Sequence, residues 1–161
     1  IAEVSKKIKK KIYINVQGDE PICNPKDIKK IVNFSKKHPN LIVNGYTEIN
    51  DKKMFNSPNV PKVVFDKNEK LLFMSRSPIP SNKKRRFIKA WRQVCIYSFP
   101  FKSLKIYTSV KKKTPLESIE DLESNRFLEL GYEVKMLKMS NKSVAVDTKE
   151  DLVKVKKLVK N

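Results

Sequence analysis

The stretch that decides the fold is Ile12-Tyr13-Ile14-Asn15-Val16-Gln17-Gly18-Asp19-Glu20-Pro21. Its first five residues are rich in β-branched and aromatic side chains and end at a turn that contains glycine, which predicts a buried strand over 12–16. Asp19 would then lie just beyond the carboxyl end of this strand. In open α/β sheets ligands bind at that edge, because the crossover connections leave a crevice there.

A second acidic residue has a similar position near the other end of the chain. Residues 144–146 are interpreted as a short strand, and Thr148 with Asp151 three residues later resembles a capping box that begins a helix running to about Lys160. Asp147 would therefore also follow a strand and precede a helix. The pattern predicts that it faces the same crevice as Asp19.

Two carboxylates at one crevice suit Mg²⁺, which binds through one or two carboxylates together with substrate phosphates. The spacing alone leaves an alternative open. In that alternative Asp19 only shapes a turn and Asp147 only caps a helix.

The rest of the chain predicts alternating strands and helices. The predicted elements are a helix over 25–37 capped by Asn24, a strand over 41–48, a hairpin of 62–65 and 71–75, a strand over 87–99, a helix over 100–110, a helix capped at Thr114 and ending at Gly131, and a strand over 132–139. This order indicates one α/β domain over 1–161, with a mainly parallel sheet and an antiparallel addition.

Composition limits the possible functions. The chain has 161 residues, enough for one domain with a core, and no apolar run approaches the roughly 18 residues of a membrane-spanning helix. Nothing resembles a signal peptide, so we expect a cytoplasmic protein. Cys23 and Cys95 form no disulfide framework, and the single His38 excludes a histidine metal cluster or a Ser/His triad.

The formal charge of +19 raises the question of nucleic-acid binding. Five of the 36 basic residues are arginine, however, whereas base readout relies heavily on arginine. The tightest basic run, residues 83–86, is predicted to lie in a solvated loop flanked by proline. We therefore expect no nucleic-acid partner.

Five sequence blocks occur in one order that resembles the 3-deoxy-manno-octulosonate cytidylyltransferase (CMP-Kdo synthetase) family. The blocks are Gln17–Pro21, Ser75–Pro80, Gln93–Phe99, Glu117–Arg126 and Val146–Leu152. The resemblance implies a nucleotidyltransferase three-layer fold, a homodimer formed through an extension at about 62–92, and the reaction of CTP with Kdo to give CMP-Kdo and pyrophosphate for lipopolysaccharide synthesis.

The resemblance also implies roles for individual residues. Asp19 and Asp147 would be the catalytic residues and would hold Mg²⁺. The residues expected to bind the substrates are Gln17, Arg76, Gln93, Tyr97, Glu120 and Glu123. Arg76 would bind the sugar carboxylate, with an ordinary surface arginine as the alternative, and Tyr97 has a core aromatic as its alternative.

Departures from the family pattern leave the sugar open. Gln93 and Cys95 stand where the family has histidine and glycine, and Ser124 stands where it has glutamine. Gln93 forms hydrogen bonds but carries no charge at neutral pH. The substrate could therefore be Kdo, 8-amino-Kdo or a sialic-type nonulosonic acid, and a non-catalytic basic module is the remaining alternative.

The resemblance further implies a segment that lies before the first predicted strand in family members. There, a strand and a basic glycine-containing loop hold the CTP phosphates, and no such segment occurs before Ile12. We therefore expect 1–161 to represent the carboxy-terminal two-thirds of the family fold.

Overall fold

The structure is a computed structural model that describes residues 1–159. Strands and helices alternate along these residues. The elements are α1 (Ala2–Lys7), β1 (Ile12–Val16), α2 (Pro25–Lys37), β2 (Ile42–Glu48), α3 (Lys52–Asn56), β3 (Lys62–Phe65), β4 (Leu71–Ser75), β5 (Trp91–Pro100), α4 (Phe101–Ser109), α5 (Pro115–Glu120), α6 (Glu123–Glu129), β6 (Val134–Lys138) and α7 (Lys149–Val159).

The strands form one sheet around β5. The order is β4-β3-β5-β2-β6, and β1 pairs with the carboxyl-terminal half of β5. Because β5 has ten residues, it pairs with β2 along one edge and with both β1 and β3 along the other. The β3–β4 hairpin, which belongs to the predicted extension at 62–92, therefore continues the edge of the central sheet.

The predicted α/β architecture with an antiparallel addition is confirmed, and the pairing within it needs one correction. Strands β1, β2, β3 and β6 run in the same direction, but only β2 and β6 are parallel neighbours. The reason is that β5 runs in the opposite direction and lies between the others.

Helices cover both faces of the sheet, which gives three layers. On one face, Ile31 of α2 packs against Val43, Val94 and Ile96 of β2 and β5. On the other face, Phe127 of α6 packs in the core cluster that contains Ile42, Tyr46 and Leu122, and Tyr107 of α4 packs against that cluster. An apolar core on each face of the sheet therefore holds β5 in place.

The predicted helix from Thr114 to Gly131 is two helices. Its capping interaction is present, since the Thr114 N–H donates to Glu117 Oε2 at 3.3 Å, and Gly131 ends α6 with a positive φ of 77°. Asp121, however, adopts the left-handed conformation between α5 and α6. The two helices fold against each other because Glu129 accepts the N–H groups of Leu116 and Glu117 at the start of α5.

Three other predicted strands need correction. Residues 144–146 form no strand, although the Val146 N–H donates to the Asp19 carbonyl at 2.8 Å. Strand β5 begins at Trp91 rather than at 87. The β1 strand is only partly buried, because β5 is its only strand partner within residues 1–159.

Other predicted elements are confirmed with small shifts at their ends. Helix α2 begins after Asn24, whose side chain accepts the Lys26 N–H. Helix α7 begins after Thr148, which exchanges hydrogen bonds with its predicted capping partner Asp151 in the first turn. The predicted end of the last helix at Lys160 lies outside the described residues. Within residues 1–159, no helix combines the length and the apolar character needed to cross a membrane.

Candidate active site

A cleft of about 530 Å³ opens where the loop after β1 meets the loop before α7. Strand β5 lies along its base, and helices α3 and α7 border it. Seven of the eight residues predicted from the sequence line this cleft: Gln17, Asp19, Arg76, Gln93, Tyr97, Glu123 and Asp147. Glu120 does not line it, and its position is described below.

The two predicted catalytic carboxylates belong to backbone segments that touch. The Val146 N–H donates to the Asp19 carbonyl oxygen at 2.8 Å, and both aspartate side chains are exposed toward the cleft. Desolvation raises the pKa of Asp147, and the nearby negative charges of Asp19 and Asp151 raise it further, while Arg76 opposes them. The tertiary structure thus brings Asp19 and Asp147 close enough to interact electrostatically.

The cap of α7 bears on the alternative that Asp147 only caps a helix. Thr148 and Asp151 exchange hydrogen bonds at the start of this helix: the Asp151 N–H donates to Thr148 Oγ1 at 3.2 Å, and Thr148 Oγ1 donates to Asp151 Oδ2 at 2.7 Å. The helix is therefore capped by these two residues. The Asp147 carboxylate is not needed for that purpose.

The cleft is acidic although the chain is strongly basic. Four basic side chains line it, against eight of the chain's 17 acidic residues. The acidic residues are Asp19, Glu20, Asp51, Asp121, Glu123, Asp147, Glu150 and Asp151. An excess of carboxylates at one concave surface favours the binding of a cation rather than of a bare anion.

A buried ion pair beneath the cleft was not predicted from the sequence. Arg92 of β5 donates from Nη1 to Glu20 Oε1 at 3.2 Å and from Nη2 to the Ser143 carbonyl at 2.7 Å and to Ser143 Oγ at 3.3 Å. Both charged side chains are almost fully buried. One signal for it was in the sequence: Arg92 shares the inward face of β5 with Val94 and Ile96, and a charge on such a face requires a partner.

Arg76 lies at the cleft but is already held by backbone groups. Its Nε donates to the Glu120 carbonyl at 2.7 Å, Nη1 to the Pro58 carbonyl at 3.0 Å and Nη2 to the Asp121 carbonyl at 3.4 Å. A guanidinium has five N–H groups, so one remains on each Nη atom. Arg76 thus joins the loop before β3 to the α5–α6 junction and retains two donors.

Glu120 does not line the cleft but binds Ser75 and the backbone N–H of Arg76. Its Oε1 accepts from Ser75 Oγ at 2.6 Å and its Oε2 accepts from the Arg76 N–H at 2.8 Å. Lys62 supports the same segment from below, because its fully buried ammonium donates to the carbonyls of Ser57, at 2.8 Å, and Arg76. The position of Arg76 is thus fixed by residues that do not reach the cleft.

Gln93 and Tyr97 form a connected polar pair in the wall of the cleft. Gln93 Nε2 donates to Tyr97 Oη and to Asn44 Oδ1, the latter at 3.2 Å, and Asn44 Nδ2 donates to the carbonyls of Val94 and Ile96. Burial raises the pKa of Tyr97 well above its ordinary value, so its hydroxyl keeps its proton at neutral pH. These contacts fix the orientation of the Gln93 amide.

Asp19 and Asp147 are the side chains predicted to bind a metal ion at this cleft. Within the part of the chain that the structure describes, no three Cys, His, Asp or Glu side chains are grouped closely enough to hold a metal ion. Mg²⁺ does not require such a cage, since it binds through one or two carboxylates and completes its octahedron with phosphate oxygens and water. The donor set of Asp19 and Asp147 fits this mode.

Comparison with known proteins gives the family. The model of a family described as Cytidylyltransferase matches residues 1–152. The chain is 35% identical over 162 residues to a 3-deoxy-manno-octulosonate cytidylyltransferase of Fusobacterium nucleatum, and 33% identical over 144 residues to an 8-amino-3,8-dideoxy-manno-octulosonate cytidylyltransferase of Shewanella halifaxensis. These matches cover 99% and 88% of this chain but 66% and 58% of the relatives, so the chain spans less than two thirds of their length.

A solved structure agrees with these relatives. The structure of a CMP:2-keto-3-deoxy-manno-octonic acid synthetase complexed with CTP is 29% identical and superposes with a TM-score of 0.87, over 99% of this chain and 66% of that one. The family-model match, which extends over most of the chain, and the two relatives above 30% identity lead to one conclusion. The chain belongs to the cytidylyltransferase family.

Proposed function

We propose that this protein takes part in the transfer of a cytidylyl group from CTP to a 2-keto-3-deoxy sugar acid, with Kdo as the first candidate. The observation that carries the proposal is the pair of loops that bring Asp19 and Asp147 together in an acidic cleft. The names of the relatives and the CTP complex of the structural neighbour support the choice of nucleotide and sugar class.

In the proposed reaction the anomeric hydroxyl of the sugar attacks the α-phosphorus of CTP. A new bond forms between the sugar oxygen and the α-phosphorus, and the bond between the α-phosphorus and the oxygen that bridges to the β-phosphate breaks. Pyrophosphate leaves, and the hydroxyl proton passes to water. Most of the catalysis in such a transfer comes from positioning and from cations that offset the phosphate charge. The acidic lining of this cleft cannot provide that positive charge by itself.

Asp19 and Asp147 would hold Mg²⁺ in this proposal. When bound, Mg²⁺ supplies positive charge to the phosphates and lowers the pKa of the attacking hydroxyl. The two carboxylates contribute hard oxygen ligands from two separate loops. Desolvation raises the pKa of Asp147, and the negative charge of Asp19 raises it further, so a cation bound between them would be favoured.

Other predicted residues would bind the sugar. Arg76 keeps one N–H on each Nη for the sugar carboxylate, and Gln17, Gln93 and Tyr97 supply neutral hydrogen-bonding groups. Glu123 lines the cleft as a further acceptor. Glu120, by contrast, would act through Arg76 by holding its backbone N–H.

The Asp147→Asn variant tests the proposal. We expect pyrophosphate release from CTP, Mg²⁺ and Kdo by the protein from its full reading frame to fall at least about 100-fold, since a lost carboxylate ligand weakens charge stabilisation by several kcal/mol. Asp66→Asn is the control, because Asp66 lies in the β3–β4 turn and does not line the cleft. Wild-type turnover by Asp147→Asn would exclude Asp147 from the catalytic site.

The same pyrophosphate-release assay should also be made with 8-amino-Kdo. Gln93 replaces a residue expected to be histidine, its amide is fixed by Tyr97 and Asn44, and one relative is named for 8-amino-3,8-dideoxy-manno-octulosonate. A panel of Kdo, 8-amino-Kdo and a sialic-type nonulosonic acid, each compared by kcat/KM, distinguishes the three. Turnover with none of them would favour a non-catalytic role.

A further inference from the structure

We propose that Arg92 is a positioning residue that sets the separation of Asp19 and Asp147. This inference rests on the proposed function of these two aspartates. Arg92 is 6% exposed and sits in β5, the strand at the centre of the sheet. From there its guanidinium reaches both of the loops that carry the aspartates.

Apart from a bond from Nη1 to the Gln93 carbonyl of its own strand at 3.2 Å, the hydrogen bonds of Arg92 divide between the two loops. Nη1 donates to Glu20 Oε1 at 3.2 Å, and Glu20 is the direct neighbour of Asp19 in the loop after β1. Nη2 donates to the Ser143 carbonyl at 2.7 Å and to Ser143 Oγ at 3.3 Å, and Ser143 precedes Asp147 by four residues in the loop before α7. One rigid group therefore holds both loops from the side of the sheet.

The two loops also meet directly, through a hydrogen bond that does not involve Arg92. Val146 N–H donates to the Asp19 carbonyl, and this bond at 2.8 Å lies between the aspartates. This hydrogen bond requires the two loops to keep their positions relative to each other. Because Arg92 holds each loop within four residues of that bond, its loss would release the segments that present the aspartates.

The chemistry of arginine suits this task better than that of lysine. A guanidinium is planar, and its two Nη atoms present donors in fixed, divergent directions, whereas a lysine ammonium is a single point charge. Lysine at position 92 could pair with Glu20 and keep the buried charge balanced. It would not also hold Ser143 with the same geometry.

The chain provides a matched control in Arg126. This residue is 7% exposed, pairs with the buried Glu117, and also donates to backbone carbonyls, those of Tyr107 and Val110. Arg126 does not line the cleft. Arg92→Lys and Arg126→Lys therefore make the same chemical change in two similar buried ion pairs, of which only one is connected to the aspartate loops.

Two measurements compare wild type, Arg92→Lys and Arg126→Lys. The first is amide hydrogen exchange at Val146, with the Val43 amide in β2 as the reference for global unfolding. The second is Mn²⁺ affinity by electron paramagnetic resonance, with Asp147→Asn to identify the site. Neither readout requires turnover or sugar, and the Mn²⁺ measurement is made with CTP present, because phosphate oxygens complete the coordination of such an ion.

We expect Arg92→Lys to speed exchange at Val146 relative to Val43 and to weaken Mn²⁺ binding roughly ten-fold, as the loss of outer-sphere support does in other metal sites. Arg126→Lys should change neither the exchange at Val146 relative to Val43 nor the Mn²⁺ affinity. Equal behaviour of the two lysine variants, with Mn²⁺ binding that Asp147→Asn abolishes, would overturn the role of Arg92 and leave the proposed function intact. Absence of protein-bound Mn²⁺ in wild type with CTP present would overturn the metal role of the aspartates, and with it this inference.

Discussion

At the scale of the residue, the most unusual group is Lys62. Its side chain is fully buried at the start of β3, and its ammonium donates to the carbonyls of Ser57 and Arg76. Desolvation lowers its pKa to about 8, with the nearby charge of Arg76 acting in the same direction and Glu120 opposing them. The sequence placed Lys62 in a strand, but its burial follows from the way the β3–β4 hairpin docks on β5.

The lowered pKa of Lys62 predicts how stability depends on pH. Between about pH 8 and its ordinary value of 10.5, the unfolded chain holds a proton on Lys62 that the folded chain has lost. The free energy of unfolding should therefore rise with pH across this window, by at most about 1.4 kcal/mol per pH unit. The desolvation penalty is present in full below pH 8 and is relieved as the pH increases.

Urea unfolding of wild type and Lys62→Met at pH 7 to 10.5 measures this effect. The difference in unfolding free energy between the two proteins should shift in favour of wild type as the pH rises. Replacement of the exposed Lys67 by methionine is the control for a general loss of one lysine. If the difference in unfolding free energy stays constant from pH 7 to 10.5, the pKa of Lys62 is not lowered in the folded protein.

At the scale of the element, β2 carries a close packing constraint at its bulge. The register between β2 and β5 shifts between Asn44 and Gly45. A Cβ atom at Gly45 would lie 2.9 Å from Met139 Cγ and 3.2 Å from Val94 Cβ. Glycine therefore lets Val94 of β5 and Met139, which directly follows β6, approach β2 on the face that packs against α2.

The Gly45→Ala substitution should destabilise the protein. We expect a loss of about 1–3 kcal/mol in the free energy of unfolding, because overpacking forces Met139 and the strand backbone to move. Gly18→Ala is the control: a Cβ there meets nothing within 4 Å, and Gly18 has no positive φ. Chemical denaturation that gives equal stabilities for the two variants would show that this region adapts without cost.

At the scale of the whole molecule, the charge distribution separates two surfaces. The chain carries +19 overall, while its cleft has more acidic than basic side chains. Strand β4 is an edge strand of the sheet, and its Leu72 is 59% exposed. Ile88, in the loop between β4 and β5, is 79% exposed. Exposed apolar side chains at a sheet edge suit association with a second copy.

We predict a homodimer that forms through this edge and strengthens as NaCl is added. Two chains of +19 repel each other, and raising the ionic strength from about 0.01 to 0.15 M shortens the screening length from about 30 to 8 Å. Sedimentation equilibrium should show a weaker dimer for the double variant Leu72→Glu and Ile88→Glu. Ile119→Glu is the control, since Ile119 is equally exposed but lies on α5, outside β4 and the loop that follows it. A monomer at all salt concentrations would contradict the prediction.

Much of the local structure follows from the sequence because it depends on neighbours in the chain. The Asn24 cap, the Thr148–Asp151 capping box, the β3–β4 hairpin and the Gly131 terminus are all set by interactions within a few residues. The same holds for the placement of Asp19 and Asp147 beside the ends of elements. The family was also identifiable from the order of five short blocks.

Only the tertiary structure decided which groups meet. Strand β5 lies between strands that run in the opposite direction. The predicted long helix is divided in two, and Glu129 folds back to accept the Leu116 N–H at the start of α5. Residues 144–146 form no strand, and the Val146 N–H donates to the Asp19 carbonyl instead. The tertiary structure also paired Arg92 with Glu20, which lie 72 positions apart. Hydrogen bonds and burial between distant segments leave little local pattern, because the partner that satisfies a buried charge is chosen by the packing of the whole sheet.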